Sequence, residues 1–305
     1  RSNSNTKIRT IMLTAFARKF GPTYICDPFN QYAASFDGIN DYAYVPAAGT
    51  YTGATENIWS FWIKRNDTNS ADTNLRWFWG QSVSGNANPN FIRIIMNTVA
   101  TNTIEFEFRW SSTANSMKRQ WVLHDAANQA ITGSTSSASR WVNGNSAINT
   151  NANGYVHLVF IYNGSGYGSA ASTTDTDLYW NGQLMTQGGA PVNAGLVTNP
   201  GVFTHRHGLN INPVNLSLSN IQNAYYDSLL ILGGGQRTFF ESANSITGST
   251  DQQLVDYIYN GGCPRSMNTD ARYLQYDFEN LWSTTPSGGS PWTPVNGATF
   301  TSNHA

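Results

Sequence analysis

The run Thr103-Ile-Glu-Phe-Glu-Phe-Arg-Trp110 constrains this chain more than any other stretch, because apolar and charged side chains alternate from Ile104 to its end. A period of two belongs to an extended strand, whose successive side chains point to opposite faces. Ile104, Phe106, Phe108 and Trp110 therefore share one face, and Glu105, Glu107 and Arg109 share the other. Such a strand needs a sheet with one face buried and one face solvated, which predicts a layered β protein.

The rest of the chain from residue 32 supports that prediction. Short runs rich in β-branched and aromatic residues recur at 34–36, 42–45, 58–63, 76–79, 91–96, 120–123, 140–142, 155–162, 177–180, 216–218, 225–232, 273–278 and 298–300. Turn-forming residues separate them, as β-sandwich strands require. Asn181-Gly182 supplies the φ > 0 pair of a type I′ hairpin between Trp180 and Gln183. Residues 111–153, rich in Ser, Asn, Ala and Thr, read mostly as long surface loops. One helix stands out: Thr250 can cap it, Gln253 completes a capping box, Leu254 and Ile258 are four apart, and Gly261 ends it. No fixed-period repeat is present, which argues against a propeller or solenoid.

Composition narrows the function. Charged residues are only 11% of the chain, against about 25% in an average domain, and the net charge is -1. The electrostatic attraction that drives nucleic-acid binding is missing. No apolar run approaches the roughly 20 residues that span a bilayer, so a soluble protein or part of a soluble assembly is expected, without a membrane partner. Cys26 and Cys263 form no Cys-x-x-Cys pair. Two buried thiols are the simpler reading, and a disulfide between the N-terminal segment and the C-terminal region is the alternative.

Residues 1–31 form a separate arm ahead of a sandwich over 32–305. Five basic residues precede its first acid, Asp27. Ile8, Ile11, Met12, Phe16 and Phe20 fit the apolar stripe of a helix, although an extended segment also puts Ile8, Met12 and Phe16 on one face. The apolar stretch is too short for a signal peptide, so the arm is expected to be retained. With Arg9, these residues are expected to dock on a neighbouring subunit or on other surface proteins.

Four segments in order carry a resemblance. They are Phe36-Asp-Gly-Ile-Asn-Asp-Tyr42, Tyr155-Val-His-Leu-Val-Phe160, Leu178-Tyr-Trp-Asn-Gly-Gln183, and Tyr226-Asp-Ser-Leu-Leu-Ile231 followed by Tyr257-Ile-Tyr-Asn-Gly-Gly262. Together, over residues 32–280, the chain resembles the laminin-G-like members of the concanavalin A-like lectin/glucanase superfamily. It departs from them in having Tyr155 where Trp is usual and Asn181 where Asp is usual. The resemblance implies an all-β, two-sheet antiparallel jelly-roll sandwich, here with one short helix in the C-terminal half and the N-terminal arm. That fold hosts lectins, glycosidases, adhesive modules and virion surface proteins, so sites must be argued separately.

Glycoside hydrolysis needs two carboxylates across a cleft, and Glu105 and Glu107 are the only pair to consider. The superfamily's glucanases carry Glu-x-Asp-x-Glu, whereas Glu105-Phe-Glu-Phe-Arg109 lacks the central Asp and the third acid; a solvated strand face is expected instead. The resemblance also implies calcium at the loop rim, with Asp37, Asn40 and Asp41 as local ligands and Asp227 as a distant one. Against this, Asp-Gly and Asn-Asp are ordinary turn formers whose side chains bond their own backbone. Trp77 and Trp79, taken to share one side of their strand, and Trp180, beside the hairpin, are the candidate platforms for sugar rings, set against burial in the core. His157, mid-strand in an apolar run, reads as a hydrogen-bonded core residue. These features lead to a non-enzymatic structural or adhesive protein on a virion surface or outside the cell. The first expectation is a phage capsid-decoration component, the alternative a secreted or cell-surface carbohydrate-binding module, and the third a glycoside hydrolase.

Overall fold

The alternating strands form, in a computed structural model of the chain, two antiparallel sheets laid face to face. The structure describes residues 32–45, 50–52, 56–65, 75–82, 91–97, 103–109, 116–122, 154–163, 176–185, 202–204, 206–209, 223–232, 236–263, 274–276 and 293–302. In chain order the strands begin with β1 (Tyr32–Asp37), β2 (Tyr42–Val45), β3 (Thr50–Thr52), β4 (Asn57–Arg65), β5 (Leu75–Ser82) and β6 (Phe91–Asn97). Next come β7 (Thr103–Arg109), β8 (Ser116–Val122), β9 (Val156–Tyr162), β10 (Thr176–Trp180), β11 (Gln183–Leu184), β12 (Val202–Thr204), β13 (Arg206–Leu209) and β14 (Asn223–Leu232). Helices α1 (Gln236–Ala243) and α2 (Asp251–Tyr259) precede β15 (Leu274–Tyr276), β16 (Thr293–Val295) and β17 (Thr299–Ser302).

The first sheet runs β11-β10-β9-β4-β14-β1-β17, with β15 also on β14, and the second runs β16-β2-β13-β5-β6-β7-β8. Strands β3 and β12 form a separate short pair. The segments expected at 140–142 and 216–218, and the arm over 1–31, lie outside the described residues.

Aromatic rings fill the space between the sheets. Trp59 of β4 meets Phe106 of β7 at 5.5 Å between ring centroids. Phe160 of β9 meets Phe61 at 6.3 Å, Phe106 at 6.1 Å and Trp121 at 5.9 Å. Burial of this apolar area is the main force holding the layers together.

The first sheet is also covered on its other face. There Ile58, Val159, Ile161, Tyr179, Leu230 and Leu232 pack with Phe240 of α1 and Leu254, Val255 and Ile258 of α2. Every residue of β9 is consequently buried, which explains an apolar run without alternation. Helix α2 carries the expected capping box, with Thr250 Oγ1 accepting from the Gln253 amide and Gln253 Oε1 accepting from the Thr250 amide. It ends at Asn260 (φ 51°), followed by Gly261 (φ 70°).

Helix α1 has no such signature and was not expected. Within Gln236-Arg-Thr-Phe-Phe-Glu-Ser-Ala243 only Phe240 joins the core cluster, so the apolar stripe is too thin to read. Arg237 anchors the helix instead, bonding Glu241 at 2.8 Å, Glu56 at 2.6 Å and Asp251 at the start of α2.

His157 is fully buried on the helix-covered face, as its setting in an apolar run implies. Its Nε2 lies 2.8 Å from Ser60 Oγ, and its ring packs in a triangle with Trp62 at 4.6 Å and Tyr259 at 5.7 Å, which are 5.9 Å from each other. Asn181 Oδ1 accepts from the His157 amide, tying the hairpin turn to the strand. That turn has φ 47° at Asn181 and 82° at Gly182, the expected left-handed pair. A Cβ at Gly182 would lie 2.9 Å from the Tyr259 ring, so glycine also lets α2 close on the hairpin.

The reading of two free thiols is overturned. Cys263, just after α2, is disulfide-bonded, and the sequence holds one other cysteine, Cys26. Residue spacing gave no sign of this, because a bridge between distant segments depends on tertiary approach.

Burial lowers the pKa of the His157 imidazole to about 3. The unfolded chain takes up this proton near its ordinary value, so the stability that neutral His157 contributes is present above about pH 6.5 and is lost as pH falls toward 3. Urea unfolding across this window should show wild type losing on the order of 4 kcal/mol more stability than His157→Gln. Equal pH slopes for the two proteins would refute that assignment.

Candidate functional site

Which face each residue of β7 occupies follows from the core. With Phe106 packed on Trp59, Glu105 and Glu107 stand on the face turned away from the first sheet. They are not solvated there, as the alternation led us to expect: Glu105 is 2% exposed and Glu107 0%. Glu105 Oε2 accepts a hydrogen bond from Nε2 of Gln120, its cross-strand partner on β8, at 2.8 Å. Carboxylates are seldom buried away from partners, so this outer face holds a polar interior of its own.

The cross-strand register maps the face further. Tyr44 of β2 stands opposite Gly208 of β13, Gly208 opposite Gly80 of β5, Gly80 opposite Arg93 of β6, Arg93 opposite Glu107, and Glu107 opposite Lys118 of β8. The neighbouring row, Ala43-Leu209-Trp79-Ile94-Phe106-Arg119, belongs to the core side, where Ala43, Ile94, Phe106 and Arg119 are buried. Tyr42 and Tyr44 are half-buried and stack at 6.1 Å with 28° between their planes. Two residues apart on one strand, they form an aromatic pair at one end of the carboxylate row.

The backbone register separates the two candidate tryptophans of β5. A bulge shifts the register between Trp77 and Trp79, opposite Ile95 and Ile94 respectively, and breaks the alternation that would have given them a common side. Trp79 stands in the core-side row, and Trp77 falls in line with Ile95, Glu105 and Gln120. Trp180 is fully buried, so it offers no face to a sugar ring and its platform role is withdrawn. Sequence reasoning missed Tyr42 and Tyr44, although the Tyr-x-Tyr spacing in a strand could have signalled them.

The candidate calcium residues lie at the β1–β2 turn. Asp37 Oδ1 accepts from the amides of Ile39 at 2.7 Å and Asn40 at 3.4 Å, and Asp41 Oδ2 accepts from the Asp37 amide at 3.2 Å. These are the bonds of a turn former. Burial, followed by the Asp37 charge, raises the Asp41 pKa, while the Asp37 amide opposes the rise. Asp227 is the bulged residue of β14, and Asp37 pairs with Asn223, about 13 Å of extended strand from Asp227. Among the described residues no group of three or more His, Cys, Asp or Glu side chains is placed to hold a metal ion. The β16–β17 turn closes over the same site, with Asn296 Nδ2 donating to the Asn40 carbonyl at 2.9 Å.

This architecture is a concanavalin A-like jelly-roll sandwich. A solved pentraxin shares the fold. The chain is similar to a native heptameric SAP-like pentraxin from Limulus polyphemus, with 9% identity, a TM-score of 0.50, and coverage of 90% of this chain and 97% of that one. A candidate carbohydrate-binding protein from Bacteroides ovatus gives 10% identity, a TM-score of 0.45, and coverage of 90% and 60%. Domains LG4-5 of the mouse laminin alpha1 chain give 12%, 0.38, and 69% and 45%. No family profile matches the chain, and no curated protein does.

Gly297 sets a local test. Its φ is 126°, and a Cβ there would lie 3.1 Å from Asp41 Oδ1. Gly297→Ala should lower stability by about 1–2 kcal/mol in denaturant unfolding, through backbone strain and pressure on the Asp41 turn. An unchanged midpoint would count against this contact.

Proposed function

We propose that the chain is a lectin-like glycan-binding module and that the outer face of its second sheet is the binding surface. The observation that supports this is the Tyr42–Tyr44 stack, two half-buried rings on the face of the sheet opposite the aromatic core. Half-exposed rings stack on pyranose faces.

The disulfide at Cys263 favours an oxidising setting, outside the cell or on a particle surface. The capsid-decoration reading has less behind it: its docking residues Ile8, Arg9, Ile11, Met12, Phe16 and Phe20 lie outside the described residues, and nothing in the sheet geometry points to a virion.

Glycan-array screening followed by calorimetry tests the proposal. Wild type should bind at least one glycan, and Tyr44→Ala should weaken that binding about tenfold, or roughly 1.4 kcal/mol. Absence of binding to any glycan would overturn it. Cleavage of the bound glycan that stops in Glu107→Gln would make the module a hydrolase instead.

A further inference from the structure

We infer that the basic, apolar N-terminal arm docks on the helix layer of its own sandwich, along α2, where a disulfide holds it against an acidic surface. The tether comes first. Cys263 is disulfide-bonded, and the sequence holds one partner for it, Cys26. Cys263 lies just beyond the end of α2, and Asn260 Nδ2, at the cap, donates to its carbonyl at 3.2 Å. The bond therefore brings the end of the arm to the C-terminal end of α2, on the side of the first sheet that the helices cover.

Charge matches the two partners. Glu56, Glu241 and Asp251 surround Arg237 on this side, Asp256 is exposed on α2, and Asp177 stands opposite Ile161, which packs under the helices. Burial, and then the charges of Asp251, Asp177 and Asp256 opposed by Arg237, push the Tyr179 pKa up to about 12, so these groups share one neighbourhood. The other described cation of this side is Lys64, at the far end of β4 beyond Trp62. Residues 264–273 add Arg265, Arg272 and Asp270 in sequence, which leaves the acids in excess. The arm carries Arg1, Lys7, Arg9, Arg18 and Lys19, with no acid before Asp27. Opposite fields of this kind attract.

Apolar surface and reach agree with this. Leu184 of β11 is 53% exposed and Phe239 of α1 is 44% exposed. Leu184 pairs with Tyr179 of the helix-covered face, and Gly182, at the same hairpin, packs on Tyr259 at the end of α2. Ile8, Ile11, Met12, Phe16 and Phe20 supply apolar groups to cover such side chains. From Cys26 back to Lys19 the extended chain spans about 24 Å, whereas α2 is about 14 Å long. The tether thus lets Arg18 and Lys19 reach Asp251 at the far end of the helix. Exposed ion pairs contribute little singly, but a covalent tether makes docking intramolecular, so weak contacts suffice. An arm from a second copy would have to displace one already bonded in place.

Limited trypsin digestion of the full chain, read by mass spectrometry at Arg18 and Lys19, tests the inference. Oxidised wild type should be cut there about tenfold more slowly than gently reduced wild type or Cys26→Ser. With the disulfide kept, Asp256→Lys and Phe239→Gln, both at exposed positions, should each speed cutting about threefold, and high salt should act in the same direction. Thermal unfolding of each variant confirms that the sandwich itself is intact, and the rates should not vary with protein concentration. Equal cutting of the oxidised and reduced chains would overturn the inference, as would rates unmoved by both surface variants. Protection that grows with protein concentration would also overturn it, by assigning the arm to a second copy. If Cys26→Ser does not fold, reduction of wild type and the two surface variants decide the matter.

Discussion

The contact of Phe160 with Phe61, Phe106 and Trp121 sets the orientation of everything else in this molecule. A strand slipped by one residue turns its whole apolar set to the wrong face, so burying Phe106 fixes the register of β7. The same act fixes Glu105 and Glu107 on the outer face, and the cross-strand pairs then carry that parity to Arg93, Gly80, Gly208 and Tyr44. The candidate site is thus the reverse side of the aromatic core. A change that loosens the core would disperse the polar row as well.

Burial of these carboxylates is unfavourable for folding by itself, since an ionised group loses its hydration and regains only what its partners supply. Gln120 supplies one such bond to Glu105. Elsewhere the chain handles charge differently: Arg237 is shared among Glu56, Glu241 and Asp251 and joins α1, α2 and the approach to β4. That cluster sits on the helix-covered side and has a plain structural task.

What could be read from the chain divides along the same lines. Local rules exposed the strands, the Asn181-Gly182 turn and the capping box of α2, because each depends on residues close in sequence. The alternation of β7 was equally plain, yet its charged face was taken as solvated; burial there depends on tertiary covering that no local pattern records. Helix α1 went unseen because Arg237, rather than an apolar stripe, holds it. The bulge between Trp77 and Trp79 escaped for a related reason, since both tryptophans fit an unbroken strand equally well until the partner strand is known. The Tyr44-Gly208-Gly80-Arg93 row was beyond reach, as it assembles four strands that meet only after folding.

The two sheets also differ in what they leave available. The first has rings on one face and α1 and α2 on the other, so its side chains are committed to packing, and even its one histidine packs against Trp62 and Tyr259. A ligand approaching that side would meet helices. The second sheet has aromatic packing on its inner face, and its outer face carries the Tyr42–Tyr44 stack and the buried carboxylates of β7. The helix layer therefore does more than cover apolar surface: by occupying one side of the sandwich, it leaves the other as the side on which the proposed binding face must lie.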